Sequence, residues 1–255
     1  MKFIKVLLVI FVFPLLGSGY LVMQNGFKED QLRYPRVRNA YKEKKEKLAD
    51  VLNITDFSNV RFNLFIMAFK YEKVVEVWAQ KKAGEGKYEK LIAYPFCASS
   101  GTYGPKRREG DLQIPEGVYH IDRFNPSSNF HLSLGINYPN KSDRILGDKS
   151  RPGGDIFIHG DCVTIGCIPL TDDKIRELYV LAVEAKDKGQ EKIPVHIYPA
   201  RPGGNDWNEL IDKEKRKDVI SLWSDLRKIY ERFDENRLLP MVKISSTGSY
   251  VLPEE

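Results

Sequence analysis

Between Arg61 and Ile158 the apolar residues come in short runs, four to nine residues long, separated by glycine, proline, asparagine and serine. Such spacing excludes a helical bundle and constrains the chain to many short strands joined by polar loops. The runs are Arg61–Phe69, the alternating Lys73–Trp78, Leu91–Phe96 after the turn at Gly84-Glu85-Gly86, Val118–Ile121 and Asp155–Ile158. Ile193–Tyr198 reads as a closing strand, and Ser99–Glu116 and Asn125–Gly154 read as long loops. The expected fold is α+β, a mostly-β sandwich or distorted barrel with flanking helices at both ends.

The helices announce themselves by their ends. Asp30–Leu52 is rich in Lys and Glu, with Val37, Tyr41 and Leu48 widely spaced. This predicts one surface helix bounded by Pro35. Thr171 ahead of Asp172 and Asp173 is an N-cap signal, and Ile175, Leu178, Tyr179, Leu181 and Ala182 then recur at helical spacing up to Gly189. Trp207–Phe233 predicts a further helix, and Met241–Ile244 with Tyr250–Leu252 a short β-like tail. The chain therefore divides into residues 1–19, a helical segment 20–59, a catalytic-sized domain 60–199 and a helical extension 200–255.

Residues 1–19 carry their own message. Lys2 and Lys5 precede the apolar run Val6–Phe13 and Pro14-Leu15-Leu16, and the small residues Gly17-Ser18-Gly19 follow. That order is the grammar of a secretory signal, and the run is shorter than the roughly twenty residues of a membrane span. The expected location is outside the cytoplasm, in the periplasm or cell envelope. Contact with the membrane is expected only if the segment stays uncleaved as an anchor. The formal charge is +5, two of it from Lys2 and Lys5, and no basic stripe with interleaved aromatics follows, so nucleic acid is not an expected partner.

Chemistry concentrates in Ile156–Pro169, where an apolar strand ends on His159 and a glycine-punctuated loop delivers Cys167. A thiol attacks as thiolate, and a neighbouring imidazole can take its proton and return it to a leaving group. Gly166 allows close backbone approach, and backbone N–H groups about Thr164, Gly166 and Gly160 are candidates for an oxyanion hole. Other readings stay open on the residues alone. His159, Cys162 and Cys167 supply three of the four groups of a zinc site, although the Cys162–Cys167 spacing is wide for one. Cys162 and Cys167 could pair, or the thiols could be inert and the histidine merely buried. With three cysteines in an exported chain, at least one stays unpaired. Cys97, at a strand end, reads as an apolar core residue, and His196, alternating within a strand, as packing.

The segment His159-Gly160 with Thr164-Ile165-Gly166-Cys167 resembles the motif of the L,D-transpeptidase (YkuD-domain) family: histidine, spacer, Ser or Thr, any residue, Gly, Cys. Gly104–Asp111 with Ile114–Tyr119, and Phe130–Pro139, resemble the same family's approach to the site and the wall of its groove. The resemblance spans about 60–198. It departs from the common form in its short spacer, in Ile165 for a His or Arg, and in Pro169 for an Asn or Arg. The compact form with an extra cysteine at Cys162 is similar to the YafK-type branch, some members of which release wall-attached lipoprotein by hydrolysis.

The resemblance implies a YkuD-type fold and a cofactor-free, metal-free cysteine acyltransferase with Cys167 as nucleophile and His159 as base. It implies peptidoglycan stem peptides as substrates and a place in cell wall organisation and cell shape, with Lys106, Arg107, Arg108, His131 and Tyr138 as substrate-binding candidates. The alternatives are an L,D-amidase or peptidase of the same chemistry, acting on wall peptide or a linked lipoprotein, and an inactive wall-binding module.

Overall fold

The computed structural model describes residues 26–58 and 60–253, and the signal or anchor expected over 1–19 lies outside them. Helices α1 (Phe27–Leu32) and α2 (Pro35–Leu52) lead into strands β1 (Asn63–Phe69), β2 (Val74–Gln80), β3 (Glu89–Pro95), β4 (Gly117–Asn125) and β5 (Ser133–Ile136). Helix α3 (Lys141–Leu146), β6 (Phe157–His159), β7 (Ile168–Pro169), α4 (Asp172–Asp187) and β8 (Pro194–Tyr198) follow. Helices α5 (Asn205–Lys213) and α6 (Lys217–Asn236) and the hairpin β9 (Lys243–Ile244) and β10 (Tyr250–Val251) close the chain. Eight strands form one curled sheet in the order β3-β2-β1-β8-β4-β5-β6-β7, with helices at both ends of the chain.

The dense run in β1 has a simple cause. Leu64, Ile66 and Ala68 point into a core shared with α2 and α4, while Phe65, Met67 and Phe69 point into a second core under α5 and α6. A strand covered on both faces has no polar side to show, so its sequence does not alternate. Its neighbour β8 runs parallel to it and sends Val195 and Ile197 into the first core. His196 is buried against the second, its ring 4.7 Å from that of Phe65, and burial alone pushes its pKa down to about 3. It is packing, as its alternation suggested.

Helix α2 begins with Pro35 in its first turn and ends at Asn53 in the left-handed conformation. Its lysines are less idle than a solvated face would be: Lys44 and Lys47 reach Glu177 of α4, whose carboxylate is fully buried. Two expectations need correction. The stretch 125–154 is not all loop, because it holds β5 and α3. The helix expected over 207–233 is two helices, broken at Glu214–Arg216, where the Glu214 carboxylate accepts the N–H groups of Lys215 and Arg216. No helix of the described residues is long and apolar enough to cross a membrane.

Candidate active site

Alternation along two short strands builds the site. Ile158 of β6 and Ile168 of β7 are paired in parallel and both enter the first core. Residues one step away therefore stand on the opposite face, which puts Phe157, His159 and Cys167 side by side. On the other flank of β6, Ser133 of β5 is in register with His159 and is also buried. These residues line one cavity of about 470 Å³, together with Asn125, Phe130 and Asp155. Phe130, Val163 and Ile165 form an apolar rim, and Ile165 is 78% exposed.

The imidazole is held in one tautomer. His159 Nδ1 lies 2.5 Å from the Gly160 carbonyl, which can only accept, so Nδ1 carries the proton and Nε2 is left as the basic nitrogen. The Phe130 ring packs at 4.8 Å from it. Burial lowers the His159 pKa below 6.5, outweighing the Gly160 hydrogen bond and the nearby Asp161 charge. Cys167 is the free cysteine. Its Sγ accepts from Phe157 N–H at 3.4 Å and donates towards the Asp155 carbonyl at 3.7 Å. Burial pushes the thiol above its ordinary 9.0, more than Phe157 N–H and the Lys106 charge pull it down. At neutral pH the pair rests as thiol and imidazole, not as thiolate and imidazolium.

The loop between them is braced internally. Thr164 Oγ1 donates to the Cys167 carbonyl at 2.8 Å and accepts from Gly166 N–H at 3.2 Å. Thr164 is thus a brace, and the Gly166 N–H already has a partner. Gly166 itself adopts φ +137, and a Cβ there would lie 3.0 Å from the Gln113 carbonyl. Gly160 is needed for space: a Cβ would meet Asp172 Oδ1 at 2.7 Å and Ile175 at 2.9 Å.

Cys97 is not a core residue. It forms a disulfide with Cys162, with a Cα–Cα distance of 5.2 Å, and Cys97 N–H donates to the Pro169 carbonyl at 3.1 Å. The pairing removes Cys162 both as a partner of Cys167 and as a zinc ligand, and no metal-binding cluster occurs among the described residues. It ties the end of β3 to the loop that carries the nucleophile. A bridge closing 65 residues constrains the unfolded chain by about 4 kcal/mol in the chain-entropy model, more than engineered bridges usually deliver. Cys97→Ala/Cys162→Ala should therefore lower unfolding stability by about 2–4 kcal/mol in urea titrations while leaving most turnover in the folded fraction. Unchanged midpoints would show that the tie contributes nothing.

The proposed substrate contacts fare differently. Lys106 is buried in an ion pair with Asp111 at 2.8 Å and also donates to the Arg108 carbonyl. Arg107 lies near Asp143, and Arg108 is exposed with its N–H on Asp111. Tyr138 is buried, its hydroxyl donating to the Pro152 carbonyl at 2.9 Å. His131 faces a separate cavity of about 410 Å³ on the Cys162 side, where its Nε2 accepts from Arg176 Nε at 3.0 Å. None of these five lines the cavity shared by His159 and Cys167. Ser133, Phe157 and Asp155 do, and only the alternation of β6 hinted at one of them.

The family model for the L,D-transpeptidase catalytic domain, YkuD, matches residues 69–197. The chain is 35% identical over 191 residues to a protein of Escherichia coli strain K12 named "Putative L,D-transpeptidase YafK", covering 74% of this chain and 73% of that one. Among solved structures it is similar to the helical cell shape determining protein Pgp2 from Campylobacter jejuni, at 19% identity and a TM-score of 0.43 over 79% of this chain and 80% of that one. It is also similar to Bd1075 of Bdellovibrio bacteriovorus, at 20% identity and a TM-score of 0.39 over 68% and 56%.

Proposed function

Because this chain belongs to the YkuD family of L,D-transpeptidase catalytic domains, we propose that it transfers acyl groups of peptidoglycan stem peptides through a thioester on Cys167. The observation that carries this reading is the placement of a free thiol and an imidazole with Nδ1 pinned on one wall of one cavity. Cys167 Sγ attacks the peptide carbonyl as His159 Nε2 takes the thiol proton. The C–N bond then breaks, and the imidazolium gives that proton to the departing amine. An acceptor amine attacks the thioester, loses a proton to Nε2, and the thiol is reprotonated as it leaves. Since Gly166 N–H is held by Thr164, the backbone N–H of Cys167 is the donor we assign to the developing oxyanion.

The apolar rim favours transfer over hydrolysis. Phe130, Val163 and Ile165 are exposed beside the thiol and would be covered by bound peptide, which keeps water from the thioester. The working location is the cell wall outside the cytoplasm, following the leader-like sequence of residues 1–19. The deciding assay gives tetrapeptide stems to the purified protein with and without a labelled amine acceptor. Label is expected in the product. Cleavage without incorporation at saturating acceptor would instead assign a hydrolase, and a wall-linked lipoprotein would become the natural substrate to test.

A further inference from the structure

Lys106, Arg107 and Arg108 were the sequence's candidates for a substrate carboxylate, and none lines the cavity. Arg123 of β4 does not line it either, but it is bound to two residues that do, Asp155 and Phe157. The ladder between β4 and β5 shifts register between Ile121 and Arg123, an irregularity of the kind that re-aims a side chain. Arg123 is then in register with Gly135, and Gly135 with Phe157 of β6. A Cβ at position 135 would lie 3.0 Å from Arg123 Nε and 2.9 Å from Asp122 Oδ1. Gly135 is not in the left-handed region, so space and not conformation accounts for the glycine.

Through that window the guanidinium crosses β5. It stacks 4.8 Å from the centroid of the Phe157 ring and brings Nη1 to 2.7 Å from Asp155 Oδ1. Asp155 is the one acidic residue lining the cavity, and its carbonyl faces the Cys167 thiol. Its φ of +52 is unusual for a residue with a side chain. Both side chains are open to solvent, Arg123 by 45% and Asp155 by 80%. A pair so exposed does little for the fold. Yet a register shift, a glycine window and a left-handed residue all serve to place it at the cavity edge.

We infer that Arg123 and Asp155 are specificity-determining residues that part to bind a zwitterionic α-amino-acid end group of the substrate. Arg123 takes the carboxylate and Asp155 the ammonium, so that the Arg123–Asp155 pair is exchanged for two intermolecular ones while Arg123 Nε keeps its 3.3 Å contact with Asp122. The inference rests on the acyl-transfer reading of the same cavity and names the chemistry it selects.

Four peptides test it, identical except at that end group: free, amine acetylated, carboxylate amidated, and both blocked. The wild-type protein should process the free form with kcat/KM about 10- to 100-fold above each singly blocked form. Arg123→Gln should erase the discrimination against the amide while keeping that against the acetylated amine, and Asp155→Asn should do the reverse. Ratios within each variant cancel any general effect of Asp155 on the thiol. Mass labelling of Cys167 by iodoacetamide shows separately that the nucleophile is present. Equal processing of all four peptides by the wild type, or uniform loss across them in both variants, overturns this inference alone. Processing of none, with Cys167 still labelled, overturns the acyl-transfer reading and this inference with it.

Discussion

Cys167→Ala should abolish turnover, a loss on the order of 10⁴-fold or more, since the cavity holds no other thiol to form the thioester. The other two cysteines are bound to each other, so the thiol at 167 has no stand-in among them. The substitution should leave the fold intact, because the side chain's polar contacts are only a 3.4 Å approach of Phe157 N–H and a 3.7 Å approach to the Asp155 carbonyl. Family membership implies that a carbapenem will acylate the wild-type protein, and intact mass should show one adduct there and none on the variant. Retained turnover in the variant, or an adduct mapped to Cys162 with the disulfide opened, would move the nucleophile elsewhere. Measuring rate and adduct on the same samples separates a dead site from an unfolded one.

How much of this was legible beforehand depended on whether a signal was local. The strand ending on His159 and the loop delivering Cys167 could be read because glycine spacing, a helix cap and a family motif all lie within one continuous segment. The strand β5 was passed over because Ser133–Ile136 holds one serine and one glycine in four residues. Those two residues are there for reasons no local pattern shows: Ser133 stands against His159, and Gly135 makes room for Arg123. Helix α3 was hidden likewise, since it is six residues long and held by the reciprocal capping of Asn140 and Asp143. The disulfide joins residues 65 apart, and three cysteines permit more than one pairing. The basic triplet 106–108 misled because charge in a turn looks like charge offered to a ligand, whereas Asp111 had already claimed Lys106 from within the same loop.

His159→Gln should reduce the rate by about 10²- to 10⁴-fold, the range of a positioned acid–base group, with the fold retained. The pH profile makes the test specific. In the wild type, burial holds the imidazole below 6.5, so the base is available throughout the neutral range. The rate should climb from acid pH as Nε2 loses its proton, with a midpoint below 6.5, and then stay level. The thiol does not ionise by itself there, because burial raises it above 9.0, and a second rise near neutrality is not expected. In His159→Gln the acid limb should vanish. The residual rate should instead grow towards alkaline pH, as the thiol ionises without help. His131 is no substitute base, since its Nε2 already accepts from Arg176 and it faces another cavity. A variant with a near-normal rate and an unchanged acid limb would show that a group other than His159 takes the thiol proton. A wild-type profile rising only above pH 9 would instead mean that a preformed thiolate attacks and that no imidazole base is needed.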